Sequence, residues 1–199
     1  RPLAYGYVIS AAARKGPLGG GSVLMRKNLV ADADLTFRVW ADPTPPYTPQ
    51  DSPLGTTASP YPHRAFDPEA SYAPFVASNL ITIPRAPRGE DPWLADGPPT
   101  TSGNNVRAYA DLSGDEGYEP TDLIGATSAP DTFDYTYDPL LAPGSSTHQR
   151  QAAITQLFFT NNWLHDAFYM AGFDEAAGNA QVDNYGRGGL AGDQVWAEA

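Results

Sequence analysis

The segment Ser145 to Gly172, SSTHQRQAAITQLFFTNNWLHDAFYMAG, constrains the fold more than any other part of the chain. Ser146 followed three residues later by Gln149 is a capping-box signature, and Gly172 stands where a helix stops, which predicts a helix over 146–171. Ile154, Leu157, Phe158, Leu164 and Phe168 recur at helical spacing along one stripe, with Asn161 and His165 at its margin. Phe159, Trp163 and Met170 lie off that stripe. The helix is therefore apolar over most of its circumference, and such a helix must be covered on several sides. Burying four or five of these side chains is worth about 2 kcal/mol each before entropy is subtracted.

The cover comes from strands. Tyr5–Ile9 and Val23–Leu29 alternate apolar and polar residues on either side of a Gly16–Gly21 loop, which predicts an antiparallel hairpin. Leu35–Asp42 reads as a third strand with Leu35, Phe37 and Val39 on one face. Asn104–Leu112 reads as another, and FVASNLITI (Phe75 to Ile83) as a short strand-like island. The fold class is α+β.

With 20 Pro and 19 Gly in 199 residues, much of the backbone must be turn and extended coil. The prolines concentrate between 43 and 99, where they remove backbone donors and exclude helix and central strand. Tyr47, Tyr61, Phe66, Tyr72, Phe75 and Trp93 recur through that segment, and a solvated linker has no use for so many rings. The expectation is a long extended arm lying over a folded surface.

A net charge of −11 with pI near 4.4 argues against phosphate backbones and anionic lipid as partners. No apolar run is long enough to span a bilayer. The absence of cysteine removes disulfides, thiolate catalysis and Cys-ligated zinc. The opening RPLAYGYVIS has neither an initiator Met nor signal-peptide order, and the acidic, Tyr/Asn/Gly-rich composition suits an exported protein.

The inventory of reactive residues is short. Asp111, Ser113 and Asp115 place oxygen donors at alternate positions, as a calcium loop would. Glu116 stands where an EF-hand needs Gly, so a solvated acidic turn is the competing reading. His63, His148 and His165 are the three histidines, and no pair has the i, i+4 spacing of a helical zinc site. His148 and His165 lie about 25 Å apart along a helix, too far to share a metal. Asp166 follows His165, but neighbouring helical residues point about 100° apart, so the pair is read as fixing the helix to the next loop. No G-x-S-x-G elbow anchors a Ser-His-Asp triad. Gly186, Gly188, Gly189 and Gly192 look superficially like a phosphate cradle. The Lys-Ser/Thr of a P-loop is missing and Ala191 breaks the G-x-G-x-x-G frame, so turns and bulges are expected there.

One resemblance gathers these features. Asn161, Asn162, His165, Asp166, Tyr169, Gly172, Phe173, Glu175, Gly178, Asn179 and Gln181 match the N-N-x-x-H-D-x-x-Y-x-x-G-F-x-E-x-x-G-N-x-Q block of fungalysin-type secreted zinc metallopeptidases. TTSGNNVRAYAD resembles the family's T-x-G-N-N-V-x-A-Y strand, and the N-terminal hairpin resembles the end of its propeptide. The resemblance implies a thermolysin-like architecture: residues 1–34 as a propeptide-like hairpin, and 35–199 as a β-rich N-terminal lobe with arm 43–99 and one long buried helix. It also implies a zinc ion that activates water for peptide hydrolysis, held by an H-E-x-x-H motif and a further Glu. This sequence contains no H-E-x-x-H. Zn2+ is accordingly expected in the complete enzyme but not on this chain, and no catalytic, cofactor-binding or metal-ligating residue is assigned here. The expected partners are a C-terminal catalytic portion of the same protein and a peptide or protein substrate, with no nucleic acid and no membrane. Secretion is expected, and the alternative role is a non-catalytic inhibitory or binding remnant.

Overall fold

The fold is described from a computed structural model, covering the strands at 5–9 and 23–28 and residues 34–50, 76–88, 91–95, 100–114 and 116–199. The chain divides into two units, Arg1–Ala33 and Asp34–Ala199. In the first, β1 (Tyr5–Ile9) pairs antiparallel with β2 (Val23–Asn28) from Tyr5↔Asn28 to Val8↔Met25, with a register shift before Ile9↔Val23. The predicted Gly16–Gly21 loop lies outside the described residues.

The second unit holds two three-stranded sheets. β3 (Leu35–Val39) is central in one, antiparallel to β4 (Asn79–Ile83) and parallel to β7 (Thr132–Phe133). The strand-like island of the Pro-rich segment thus forms an edge, where a strand flanked by proline is tolerated. β5 (Val106–Ala110) is central in the other, between antiparallel β6 (Leu123–Ile124) and parallel β8 (Val195–Glu198). Leu35, Phe37 and Val39 are all fully buried, as their alternation predicts.

Helix α1 (Thr147–Met170) packs against both β3 and β5. Between helix and sheets lies an aromatic cluster: Phe37 stacks on Phe133 at 5.2 Å and meets Phe159 edge-on at 5.7 Å, while Trp93 meets Phe159 edge-on at 5.4 Å. These tilted and offset contacts are the geometries aromatic quadrupoles favour. Trp93 is fully buried and Tyr47 packs on the cluster's margin. Tyr61, Phe66, Tyr72 and Phe75 lie outside the described residues. Gly103 marks a close approach, since a Cβ there would stand 1.8 Å from the Trp93 carbonyl oxygen.

Both helix ends follow known capping chemistry, with one departure from expectation. Ser146 Oγ accepts from the Gln149 N–H at 3.1 Å. The Gln149 side chain does not complete the predicted capping box. Its amide instead brackets Asp138, donating to the carbonyl and accepting from the N–H, both at 2.8 Å. At the other end Phe173 N–H reaches the Phe168 carbonyl and Gly172 N–H the Tyr169 carbonyl, with Gly172 at φ +101°, a Schellman closure.

The buried stripe differs from the predicted one. It runs through Gln151, Ile154, Thr155, Phe158, Phe159, Asn162 and Asp166, while Leu164, Phe168 and Met170 are 40%, 59% and 64% exposed. The helix is therefore not buried on several sides along its length. Beyond Phe159 its inward face leaves the aromatic cluster and meets the polar segments around Asn105 and Gln181. Amides and a carboxylate turn inward there because they find hydrogen-bond partners.

Candidate functional site

The C-terminal half of α1, residues 85–88 and 91–95, and the loop at 174–193 meet in one polar joint. Asn162, fully buried, donates through Nδ2 to the Phe158 carbonyl at 2.9 Å and accepts through Oδ1 from Asn105 Nδ2 at 3.4 Å. Asn105 Oδ1 in turn accepts from Gln181 Nε2 at 3.4 Å, and Gln181 Oε1 accepts from Asn179 Nδ2 at 2.9 Å. Four buried amides thus form a chain from helix to loop, in which most polar atoms are matched. One turn on, Asp166 Oδ2 accepts from Trp93 Nε1 at 2.8 Å, tying the helix to a residue 73 positions earlier.

A charged cluster closes the joint. Asp174 caps a single 3-10 turn, Glu175–Ala177, by accepting from the N–H groups of Ala176 and Ala177. Glu175 is buried and accepts from Tyr169 Oη at 3.0 Å and Arg187 Nε at 2.6 Å. Arg187 also pairs with Asp91. Burial pushes the Glu175 carboxyl up, but hydrogen bonds from backbone, Arg187 and Tyr169 together outweigh it and hold it below the ordinary value. The Tyr169 phenol is raised, first by burial and then by its bond to Glu175. Arg187 is raised chiefly by its hydrogen bond to Asp91.

The glycine-rich loop is shaped rather than open to a phosphate. Asn184 Nδ2 donates to the carbonyls of Gly188 and Leu190 at 2.7 and 2.8 Å. Gly189 at φ +71° passes so close to Glu175 that a Cβ would stand 2.2 Å from its carbonyl oxygen. Asp193 Oδ1 accepts from the Gln181 N–H at 3.1 Å.

The residues singled out in the sequence fall in different places. His165 Nδ1 stands 3.5 Å from Asp166 Oδ1, yet neither ring nitrogen has a hydrogen-bond partner, and Asp166 commits its other oxygen to Trp93. His148 packs edge-on against Tyr135 at 5.5 Å near the helix start, and His63 lies outside the described residues. The suggested calcium loop gains no support among the described residues. Asp111 Oδ1 accepts from the N–H groups of Ser113 and Gly114, and both Asp122 oxygens accept from backbone N–H groups, of Leu112 and Glu119. These carboxylates stabilise a turn, and the hydrogen bonds from Glu119 and Leu112 keep Asp122 below its ordinary pKa. Asp115 lies outside the described residues. Sequence reasoning missed Arg187 and Asp91. Asn105, Glu175, Asn179 and Gln181 stand in the quoted motifs, but without a stated role.

Among the described residues no group of three or more His, Cys, Asp or Glu side chains is placed to hold a metal ion, so they do not fit a zinc site. Fold and joint together define an α+β scaffold whose central polar groups are mostly engaged with one another. The fungalysin metallopeptidase (M36) family profile matches residues 61–199, and the chain belongs to that family. It is 45% identical over 106 residues to the extracellular metalloproteinase MEP of Pyricularia oryzae, covering 52% of this chain and 16% of the relative. It is 43% identical over 104 residues to a probable extracellular metalloproteinase 4 of Trichophyton verrucosum, and equally to extracellular metalloproteinase 4 of Arthroderma gypseum, each covering 51% of this chain. The aligned part spans only 16% of those relatives as well. No helix among the described residues is long and apolar enough to cross a membrane.

Proposed function

We propose that this chain forms the β-rich N-terminal lobe, thermolysin-like in architecture, of a secreted zinc-dependent endopeptidase. The zinc ligands and general base are supplied by a C-terminal portion of the same protein, and the Pro/Gly-rich arm lies over the lobe. The observation that carries this reading is the inversion in α1, which turns hydrogen-bonded amides inward and leaves Leu164, Phe168 and Met170 facing out within a peptidase-family motif. A helix of that kind is made to be covered by more polypeptide. The lack of H-E-x-x-H and the small share of each relative that aligns fit the same division of labour. Secretion is supported by the extracellular metalloproteinases among the relatives.

The test compares this chain with the complete protein on a fluorogenic peptide, with and without a zinc chelator. The complete protein is expected to hydrolyse it in a chelator-sensitive manner and the 199-residue chain to leave it intact. Chelator-sensitive hydrolysis by the chain alone would overturn the proposal. Adding the chain to the complete enzyme should not change the rate, whereas dose-dependent inhibition would favour an inhibitory remnant instead.

A further inference from the structure

A cavity of about 430 Å³ opens away from the polar joint, between the middle of α1, Trp40 and the end of β8. Its apolar lining comes from Ala153 and Leu157 on the helix and from the Trp40 and Tyr137 rings, which meet edge-on at 6.0 Å. Several of its donors are spent within the wall. Trp40 gives its main-chain N–H to Gln156 Oε1 and its indole N–H to the Val76 carbonyl, each at 2.7 Å, and Gln156 Nε2 donates to Thr160 Oγ1 at 3.0 Å. Two acceptors are left over. Gln50 Oε1 is buried without a hydrogen-bond partner. Glu198 accepts from the Tyr109 hydroxyl, a neutral donor, and no cation among the described residues pairs with it. No Lys, Arg or His side chain lines this cavity, and Arg150 lines the adjoining one together with Asp111.

We propose that this cavity binds an alkyl cation, a primary ammonium or guanidinium on an aliphatic stem. The stem lies on Ala153 and Leu157, and the head donates to Gln50 Oε1 and the Glu198 carboxylate. The alternatives fit less well. An anion would meet Glu198 with no counter-ion beside it, and a purely apolar guest would leave Gln50 Oε1 buried without a donor. The electron-rich faces of Trp40 and Tyr137 add attraction for a cation. The bulk charge of −11 draws cations from a distance, so long-range field and local contacts favour the same guest. The cation is either a free small molecule or the side chain of a Lys or Arg in further polypeptide.

Four tryptophans make the test direct. The indole N–H signal of Trp40, assigned with a Trp40→Phe variant, is followed by NMR while n-butylguanidinium chloride is added to this chain. Sodium chloride at equal ionic strength and 1-butanol at equal concentration are the controls. The expected result is a saturable Trp40 shift at millimolar butylguanidinium. The Trp93 indole, buried in the aromatic cluster, should stay in place. Glu198→Gln keeps an acceptor for Tyr109 and removes the charge, so the affinity should fall about fivefold. That variant also separates the Glu198 side chain from the main-chain end at Ala199. If Glu198→Gln loses the fold, Gln50→Leu takes its place with the same expected loss. No saturable shift beyond the two controls, or undiminished affinity in the folded variant, overturns the proposal. In the complete protein, a retained saturable shift assigns a free cation. A silent Trp40, together with a melting temperature lowered by Glu198→Gln, assigns a side chain of the polypeptide. A silent Trp40 without that loss overturns the site. The titration of this chain does not depend on the peptidase reading, so the two fail separately.

Discussion

The two halves of α1 differ in what their inward faces bury. From Thr147 to Phe159 that face carries Ile154, Phe158 and Phe159, all fully buried in the core with β3 and Phe133, beside the hydrogen-bonded amides of Gln149 and Gln151. From Thr160 to Met170 the inward face carries Asn162 and Asp166, while Leu164, Phe168 and Met170 look outward. Only the first half adds a ring cluster held by dispersion and the hydrophobic effect, which are non-directional and proportional to area. The second is held by directed hydrogen bonds that work only while every partner is present. One helix thus joins a core that stabilises the lobe to a joint that orients the loop at 174–193.

The sharpest way to break this comparison is to empty the core side. Phe158→Ala removes a fully buried ring that stacks at 6.2 Å on Phe37, and is expected to destabilise the lobe by about 3–5 kcal/mol. Denaturant unfolding followed by tryptophan fluorescence measures it. A loss below about 1 kcal/mol would mean the aromatic cluster is not the principal support that its burial implies.

The joint should respond less in magnitude but with a dependence on pH. Glu175→Gln keeps the shape and removes the charge that accepts from Arg187 and Tyr169, with an expected cost of about 2 kcal/mol at neutral pH. Because the folded carboxyl titrates below its ordinary value, its contribution is complete above the unfolded carboxyl range, about pH 4.3, and is lost as pH falls through the lowered value. The stability difference between the two chains should therefore stay constant from neutral pH to about 5 and shrink on further acidification. A difference that persists undiminished to about pH 3 would assign the effect to packing instead of charge.

How much of this was legible in the sequence follows the same division. The strand at Leu35–Val39 and the helix ends were readable because alternation, a capping Ser and a terminal Gly are local signals. The side of the helix that turns inward after Phe159 was not. Counting apolar residues places Leu164 and Phe168 on the buried stripe, whereas the partners that draw Asn162 and Asp166 inward are Asn105 and Trp93, 57 and 73 residues earlier. The role of Arg187 was hidden for a related reason, since Asp91 stands 96 residues earlier and Glu175 meets it across the same loop, 12 residues back. Only the motif match pointed to Glu175, Asn179 and Gln181, and a motif carries no partner assignment. The calcium suggestion gains no support, because alternating oxygens describe a ligand loop and an Asx turn equally well, and backbone N–H groups donate to Asp111 Oδ1 and to both Asp122 oxygens.

The smallest expected effect on stability is the most informative about the outward face. Leu164 and Phe168 lie four residues apart on α1, the spacing that places side chains on one face, and both are exposed. Replacing them together by Ser removes side chains that are only partly covered, so the lobe's stability should change by no more than about 1 kcal/mol, part of it helix propensity. Self-association of the isolated chain should nonetheless fall, because the exposed apolar surface that drives it is gone. Sedimentation velocity across a concentration series separates the two consequences. If these residues serve only the lobe, the double variant unfolds early and associates as before. If they are the face that further polypeptide covers, the isolated lobe keeps its melting temperature and becomes monomeric, while the complete protein is the one destabilised by the change.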